Sequence, residues 1–263
     1  MKLGVIGFGN MGQGIICGLL RAKKIKPQDI YVCEKNFDKC LINSKKYKVN
    51  PCKDALEVIK NTDYIILAVK NNVVDKLIKS VLNELKNKVL ISIVIGFDSA
   101  YYENLLNAST HHISTIPNLP IAVQDGILIV ENKNTLTEEE YKIFKNLFKG
   151  VALIEEVDTS KFNIAGIIAG CGIAFTSMYI EALADASIQF GLSREEAFTI
   201  ASQMIIGTGK MYLVDKIHPA IIKDTVCSPG GKSIKGVTEL EEKGFRGAVI
   251  KAIDAILKDD TKD

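Results

Sequence analysis

Two glycine-rich stretches, one near each end of the chain, have the residue types that hold anions. The first is Gly7-Phe8-Gly9-Asn10-Met11-Gly12, within the opening "MKLGVIGFGNMGQGIICGLL". It follows an apolar run, Leu3 to Ile6, and precedes a segment whose apolar residues Met11, Ile15, Ile16, Leu19 and Leu20 share one helical face. Strand, glycine turn and helix start in that order make a cradle for a dinucleotide. Gly7 forms the turn, Gly9 leaves room for the pyrophosphate, and Gly12 lets the helix approach the strand. The unpaired N–H groups and positive end of the helix supply the attraction. Residues Ile6 through Gly12 (Ile6, Gly7, Phe8, Gly9, Asn10, Met11, Gly12) are therefore the expected contacts. For a lone G-x-G-x-x-G a tight structural turn is the alternative, and the flanking strand and helix favour the cradle. Gly4 and Gly14 read as packing positions.

Glu34 stands at the end of the next strand-like run, Ile30 to Cys33, and 22 residues past Gly12. An acidic side chain there accepts hydrogen bonds from the ribose of NAD and repels the phosphate of NADP. The reading therefore leans to NADH. Lys35 and Lys39 lie close enough to pair with a phosphate, so NADPH stays open.

The second stretch, Ser228-Pro229-Gly230-Gly231, reads as a turn feeding a helix whose first residues include Lys232 and Ser233. Its unpaired backbone donors, with the hydroxyl of Ser233, make a pocket for a small anion. On spacing alone a plain helix cap explains the same residues more economically.

The elements that must position these groups divide into two kinds. Up to about Val157, short β-rich runs alternate with helical patterns: strands at Leu3–Ile6, Ile30–Cys33, Tyr64–Val69 and Val89–Ile95, with helices at Met11–Ala22, Ala55–Lys60 and Val73–Leu85. Continuous apolar strands between helices imply a parallel sheet covered on both faces. The first part is thus α/β, a Rossmann-type doubly wound sheet. "HISTI" and "GILIV" read as further strands, Thr137 and Glu140 as a capping box for a helix through Phe148, and "GVALIEEV" as the last strand. From Asp158 the pattern is all helical: a long helix from Lys161 to Phe190, one capped by Ser193, a third from His218, and a last from Ser233 to Leu257. The expected domains are 1–156 for the dinucleotide and 157–263 for the helices, with disorder only in the last few residues.

Composition limits the partners. The 263 residues carry 33 basic and 31 acidic side chains, a net charge of +2, so no basic block addresses nucleic acid. Six cysteines form no C-x-x-C pair, and with His111, His112 and His218 they make no zinc spacing. Free thiols of a reducing cytosol and no metal are expected. The three histidines read as surface or loop-support residues. The longest apolar run, Ile164 to Ile180, is interrupted by Gly166, Gly170 and Gly172 and falls short of a membrane span, which argues for a soluble, cytoplasmic protein with no membrane partner. A signal peptide is excluded by the polar and glycine breaks after Ile6.

Taken in order, "GVIGFGNMG", "IILAVK", "ISIVIG", "IPNLP", "GCGIAF", "YIEALADA" and "DTVCSPGGKSIKG" resemble the motifs of the pyrroline-5-carboxylate reductase family over essentially the whole chain. The resemblance implies a Rossmann-type domain, then an all-α dimerisation domain that interlocks with a second copy, so that each active site is completed across a homodimer. Assembly further into a decamer is common in the family. Its reaction moves a hydride from NADH or NADPH to the C=N carbon of 1-pyrroline-5-carboxylate, giving L-proline. On this reading Ala68, Val69 and Lys70 in "IILAVK" and Asn118 in "IPNLP" contact the cofactor, Ser228, Gly230, Gly231, Lys232 and Ser233 hold the substrate carboxylate, and Ser233 stands at the family's hydroxyl position near the ring nitrogen as the catalytic candidate. Glu181 would face a neighbouring subunit or join a buried network.

The chain departs from the family pattern at several places. The family's Lys-Pro is Lys70-Asn71, and its Ala-Ala-Gly is Val94-Ile95-Gly96. Ile116 replaces Met, Leu119 replaces Thr, and Cys171 and Ile173 replace the Ser and Pro of Gly-Ser-Gly-Pro-Ala. All except Asn71 are apolar or small, which preserves the fold and removes polar groups from the expected pocket. Two alternatives follow: a reductase of a related cyclic imine, or a non-catalytic paralogue that keeps cofactor and dimer. The β-hydroxyacid dehydrogenases share the two-domain plan, but their catalytic Lys and Asn would fall at Thr176 and Ile180, so that reading fails.

Overall fold

The computed structural model describes residues 1–259. The end of the expected second domain, residues 260–263, lies outside the described residues, as does the expectation of disorder there. The chain divides into two compact units, Met1–Gly170 and the residues from Cys171 onward.

The first unit is built on one eight-stranded sheet in the order β3-β2-β1-β4-β5-β6-β7-β8. The strands are β1 Leu3–Ile6, β2 Ile30–Cys33, β3 Asn50–Pro51, β4 Tyr64–Leu67, β5 Val89–Ser92, β6 His111–Pro117, β7 Gly126–Glu131 and β8 Ala152–Val157. All neighbours are parallel except β6 and β7. Helices α1 Asn10–Arg21, α2 Phe37–Tyr47, α3 Ala55–Asn61, α4 Val74–Ser80, α5 Ser99–Leu105 and α6 Glu138–Phe148 connect them. Alternation along the strands feeds two apolar layers. Leu3, Val5, Ile66 and Ile91 join α1 and α6 residues on one face, while Ile6, Ile65, Leu67 and Leu90 join α3 and α4 residues on the other. The doubly wound sheet read from the sequence is the observed fold.

Several details differ from the sequence reading. Helix α2 was not anticipated; Asn36 caps it, its side chain accepting from the Lys39 N–H. Helix α5 was also missed; Asp98 caps it through the Tyr101 N–H. Helix α4 stops at Ser80 rather than Leu85, and the chain from Val81 to Lys88 turns instead. The last predicted helix is two, α10 Lys232–Glu242 and α11 Phe245–Asp259, broken at Gly244, whose φ is +75°.

Helix α7, Thr159–Ile188, begins on the sheet: Phe162 packs with Ile116 and Ile129, and a Cβ on Gly166 would stand 2.3 Å from Ile116 Cδ1. The second unit adds α8 Arg194–Asp215, α9 Pro219–Thr225, α10 and α11. As the sequence reading expects, one long helix runs through Gly166, Gly170 and Gly172. By length and composition it is the one helix among the described residues able to cross a membrane, although little of it is buried within the chain.

Candidate cofactor and substrate sites

At the end of β1 the chain turns through Gly7, whose φ of +102° favours glycine. A Cβ there would meet the Ala68 carbonyl oxygen at 2.3 Å. The turn is held from the β2 side by the Cys33 carbonyl, which accepts the Gly7 and Phe8 N–H groups at 3.0 and 3.1 Å. Phe8 is fully buried and meets Tyr47 edge-on, and Gln13 Nε2 donates to its carbonyl at 3.1 Å. Gly9 caps α1 in an extended conformation with no side chain on the first turn. A Cβ on Gly9 would meet nothing within 4 Å, whereas one on Gly12 would stand 2.4 Å from the Gly7 carbonyl oxygen. The first and third glycines are needed for close packing, and the second leaves open space beside the first-turn donors of Asn10, Met11 and Gly12. These residues fit a dinucleotide pyrophosphate.

The sheet order reverses at β1, which lies between β2 and β4, so a crevice opens at the carboxyl ends of these strands. On the β2 side, Glu34 is half-buried directly after the strand, and Lys35 is exposed beside it. Lys39 is held in the first turn of α2 by Asn36, with its side chain exposed. On the β4 side, the Ala68 N–H donates to Ile6 at 2.8 Å, continuing the ladder, and Lys70 precedes a short 3-10 turn, Asn71–Val73. A cleft of about 220 Å³ opens there, bounded by Met11, Ala68, Val69 and Asn71 and by residues of the segments after β5 and at the end of β6. Asn71 Nδ2 donates to the Ile95 carbonyl across this cleft at 2.8 Å, a link between loops that the sequence reading missed.

Asn118 is buried and uses its amide within the protein. Its Oδ1 accepts from the Ile127 N–H at 2.9 Å and its Nδ2 donates to the Ala169 carbonyl at 3.1 Å. It fixes the loop after Pro117, the residue that closes one end of the cleft.

In the second unit, the Ser228 carbonyl accepts the Gly231 N–H at 2.9 Å and Gly230 takes a φ of +70°, so the segment is a tight turn. Gly231 caps α10 without any side-chain hydrogen bond, and no acidic residue occupies the first turn. The hydroxyls of Ser228 and Ser233 make no hydrogen bond among the described residues, and Lys232 and Ser233 are exposed. A Cβ on Gly231 would lie 2.5 Å from Ser228 Oγ. Backbone donors, two hydroxyls and a lysine thus gather where a carboxylate could be held.

Other reactive groups are otherwise engaged. His111 Nδ1 pairs with Glu140 at 2.7 Å, and His218 caps α9. His112 is a correction to the sequence reading: it is buried on β6, its ring tilted 44° to that of Tyr102 with centroids 5.9 Å apart, and neither ring nitrogen has a partner. Burial lowers its pKa and keeps it neutral. The buried thiols of Cys33 and Cys52 are pushed up to about 12 by desolvation, so neither is a nucleophile. Among the described residues no cluster of three or more His, Cys, Asp or Glu could hold a metal.

A glycine cradle at the switch point of a doubly wound sheet, followed by a helical unit whose Ser228–Gly231 turn opens α10 with no side-chain cap, defines a dinucleotide-dependent oxidoreductase. Residues 2–96 match the family model for NADP oxidoreductase, coenzyme F420-dependent, and residues 159–262 match that for pyrroline-5-carboxylate reductase dimerisation. Curated relatives include the pyrroline-5-carboxylate reductase of Treponema pallidum, 39% identical over 98% of this chain and 99% of that protein. That of Escherichia coli is 33% identical over 99% and 97%. A crystal structure of Plasmodium falciparum pyrroline carboxylate reductase with NADP bound superposes with a TM-score of 0.85 at 28% identity, covering 97% of this chain and 95% of that one. The chain belongs to the pyrroline-5-carboxylate reductase family. The dimerisation model covers all of α7, so its exposed apolar surface reads as a subunit interface rather than a membrane span.

Proposed function

We propose that this protein reduces 1-pyrroline-5-carboxylate to L-proline with NAD(P)H. The observation that carries the reading is that one chain, matched to these reductases over nearly its full length, keeps both the Gly7–Gly12 cradle and the Ser228–Ser233 turn.

The bound nicotinamide cofactor supplies the hydride to the C=N carbon of the ring. The first turn of α1 would hold its pyrophosphate through the N–H groups of Asn10, Met11 and Gly12, with Ile6, Gly7 and Phe8 shaping the cradle. Ala68, Val69 and Lys70 would line the path of the nicotinamide half, and Asn118 would hold the adjoining loop. Glu34 would accept hydrogen bonds from the adenosine ribose, which favours NADH. Lys35 and Lys39 are the groups that would instead admit NADPH. In the helical unit, Gly230, Gly231 and Lys232 would bind the substrate carboxylate together with Ser228. The Ser233 hydroxyl would stand near the imine nitrogen and hold or deliver the proton that nitrogen gains. The chemistry needs placement of donor and acceptor more than a strong base.

The functional division would fall at 156/157, at the last residue of β8. The helical domain would form a homodimer and assemble further toward a decamer, in a soluble, cytoplasmic enzyme. The test is loss of nicotinamide absorbance when purified protein meets 1-pyrroline-5-carboxylate, run in parallel with NADH and NADPH. Faster oxidation of NADH would support the role given to Glu34. A folded protein that binds cofactor and oxidises neither would refute the proposed activity. Turnover of a six-membered cyclic imine in preference would redirect the substrate assignment.

A further inference from the structure

We infer that Asn71 is a positioning residue that sets the gap between the two loops flanking the nicotinamide half of the site, an inference that rests on the cofactor reading above. The loops leave the carboxyl ends of β4 and β5, which are neighbours in the sheet. The last rung between them is the Ile93 N–H donating to the Leu67 carbonyl at 3.0 Å. Beyond that rung the Asn71 to Ile95 bond, at 2.8 Å, is the only hydrogen bond among the described residues that joins segment 68–73 to segment 94–97. Asn71 is also the one amide, hydroxyl or charged side chain lining the cleft.

The backbone on both sides leaves this bond work to do. Gly96 takes a φ of +88°, and a Cβ built on it would lie 3.6 Å from Asn71 Nδ2, so the amide packs over the glycine turn. Asn71 and Ile95 are both exposed, so in the free protein water competes for the bond. A ring seated in the cleft would exclude that water and strengthen the link, so Asn71 acts on the nicotinamide half and not on the adenosine half beside β2. Proline would fix the same loop by another route. Lys70 has φ −71° and ψ 149°, which suits a residue preceding proline, and position 71 opens a 3-10 turn where a missing N–H is tolerated.

The experiment compares wild type with Asn71→Ala, Asn71→Asp and Asn71→Pro. Asn71→Ala should raise KM for the preferred dinucleotide about tenfold and lower kcat several-fold. Its Tm and its inhibition constant for ADP-ribose, which lacks the nicotinamide, should be unchanged. Asn71→Asp, which turns an acceptor toward the Ile95 carbonyl, should be at least as impaired, and Asn71→Pro should recover most of the loss. The inference is overturned if Asn71→Ala stays within twofold in both kinetic constants, if ADP-ribose weakens as much as the dinucleotide, or if Asn71→Pro is no better than Asn71→Ala. Failure of the wild type to bind NADH or NADPH would instead overturn the cofactor reading itself.

Discussion

The unit ending at Gly170 and the helices that follow it solve the problem of burial in opposite ways. The first unit encloses its apolar residues between sheet and helices: Leu3, Val5, Phe8, Ile65, Ile66, Tyr102, Phe144 and Phe148 are fully buried. Among the described residues from Cys171 onward, the buried apolar ones are Ala184, Ala197 and Ala201, all small. Phe190, Val214, Met178 and Ile250 are exposed to between 63 and 89%. Water-facing apolar surface of this extent marks an interaction surface. The cofactor-binding half is a finished domain, and the helical half is half of something. The match to a dimerisation family and the family membership identify the missing part as another copy of the chain.

The comparison breaks most visibly if the two parts are separated. A fragment comprising residues 1–170 should unfold cooperatively, at a Tm independent of protein concentration, and bind a dinucleotide. The full chain should show a transition that rises in temperature with concentration, because association supplies the burial its helices lack. A concentration-independent Tm for the full chain would sink the distinction. The fragment has to include the start of α7, because Phe162, with Ile116 and Ile129, closes the sheet there.

Next in size is Gly231→Val. The added side chain would crowd Ser228 and obstruct the α10 donors, so turnover should fall at least about a hundredfold. Circular dichroism and NADH binding should be unaltered, since the cradle belongs to the other unit. Unchanged kinetics would remove the site assignment. Phe162→Ala should be smaller and of another kind, costing about 3 kcal/mol of stability by leaving a cavity on the sheet. Denaturant titration of the 1–170 fragment measures it, and a loss below about 1 kcal/mol would show that α7 is not part of the first unit's packing.

What could be read from the sequence follows the range of each interaction. The cradle was legible because its glycines, strand and helix are contiguous, and the three-dimensional reasons for Gly7 and Gly12 reproduce the spacing argument. Glu34 was placed by counting, and the structure sets it at the end of β2. Helix α2 was missed although Asn36 is a good cap, because charged and polar residues obscure the apolar spacing of Phe37, Cys40, Leu41 and Tyr47. Two-residue β3, which contains Pro51, carries almost no local signal. The Asn71 to Ile95 bond spans 24 residues and joins two loops, so no local pattern encodes it. The burial of His112 escapes the sequence reading because sequence alone does not say which face of β6 is covered by Tyr102.

The smallest expected effect tests the comparison with one motif that each unit repeats. Thr137 with Glu140 caps α6, and Ser193 with Glu196 caps α8, in the same reciprocal geometry. Around Glu140, burial pushes the carboxyl up, but hydrogen bonds from the Thr137 backbone, His111 and the Thr137 hydroxyl together outweigh it and leave the pKa lowered. Glu196 is lowered by the Ser193 hydroxyl and backbone alone, with no histidine. A carboxylate whose folded pKa lies below its unfolded value, about 4.3, stabilises the fold above that pH. The contribution is lost as pH falls through the folded value. Glu140→Gln should therefore lower Tm at neutral pH and converge with wild type toward pH ~3, and the 1–170 fragment should show the same convergence. Glu196→Gln, fully exposed to solvent, should give a smaller gap over the same range. If Glu140→Gln shifted Tm equally at every pH, its ionisation would not be what stabilises α6. If Glu196→Gln were the more damaging change, the first unit would not be the one that encloses its polar contacts.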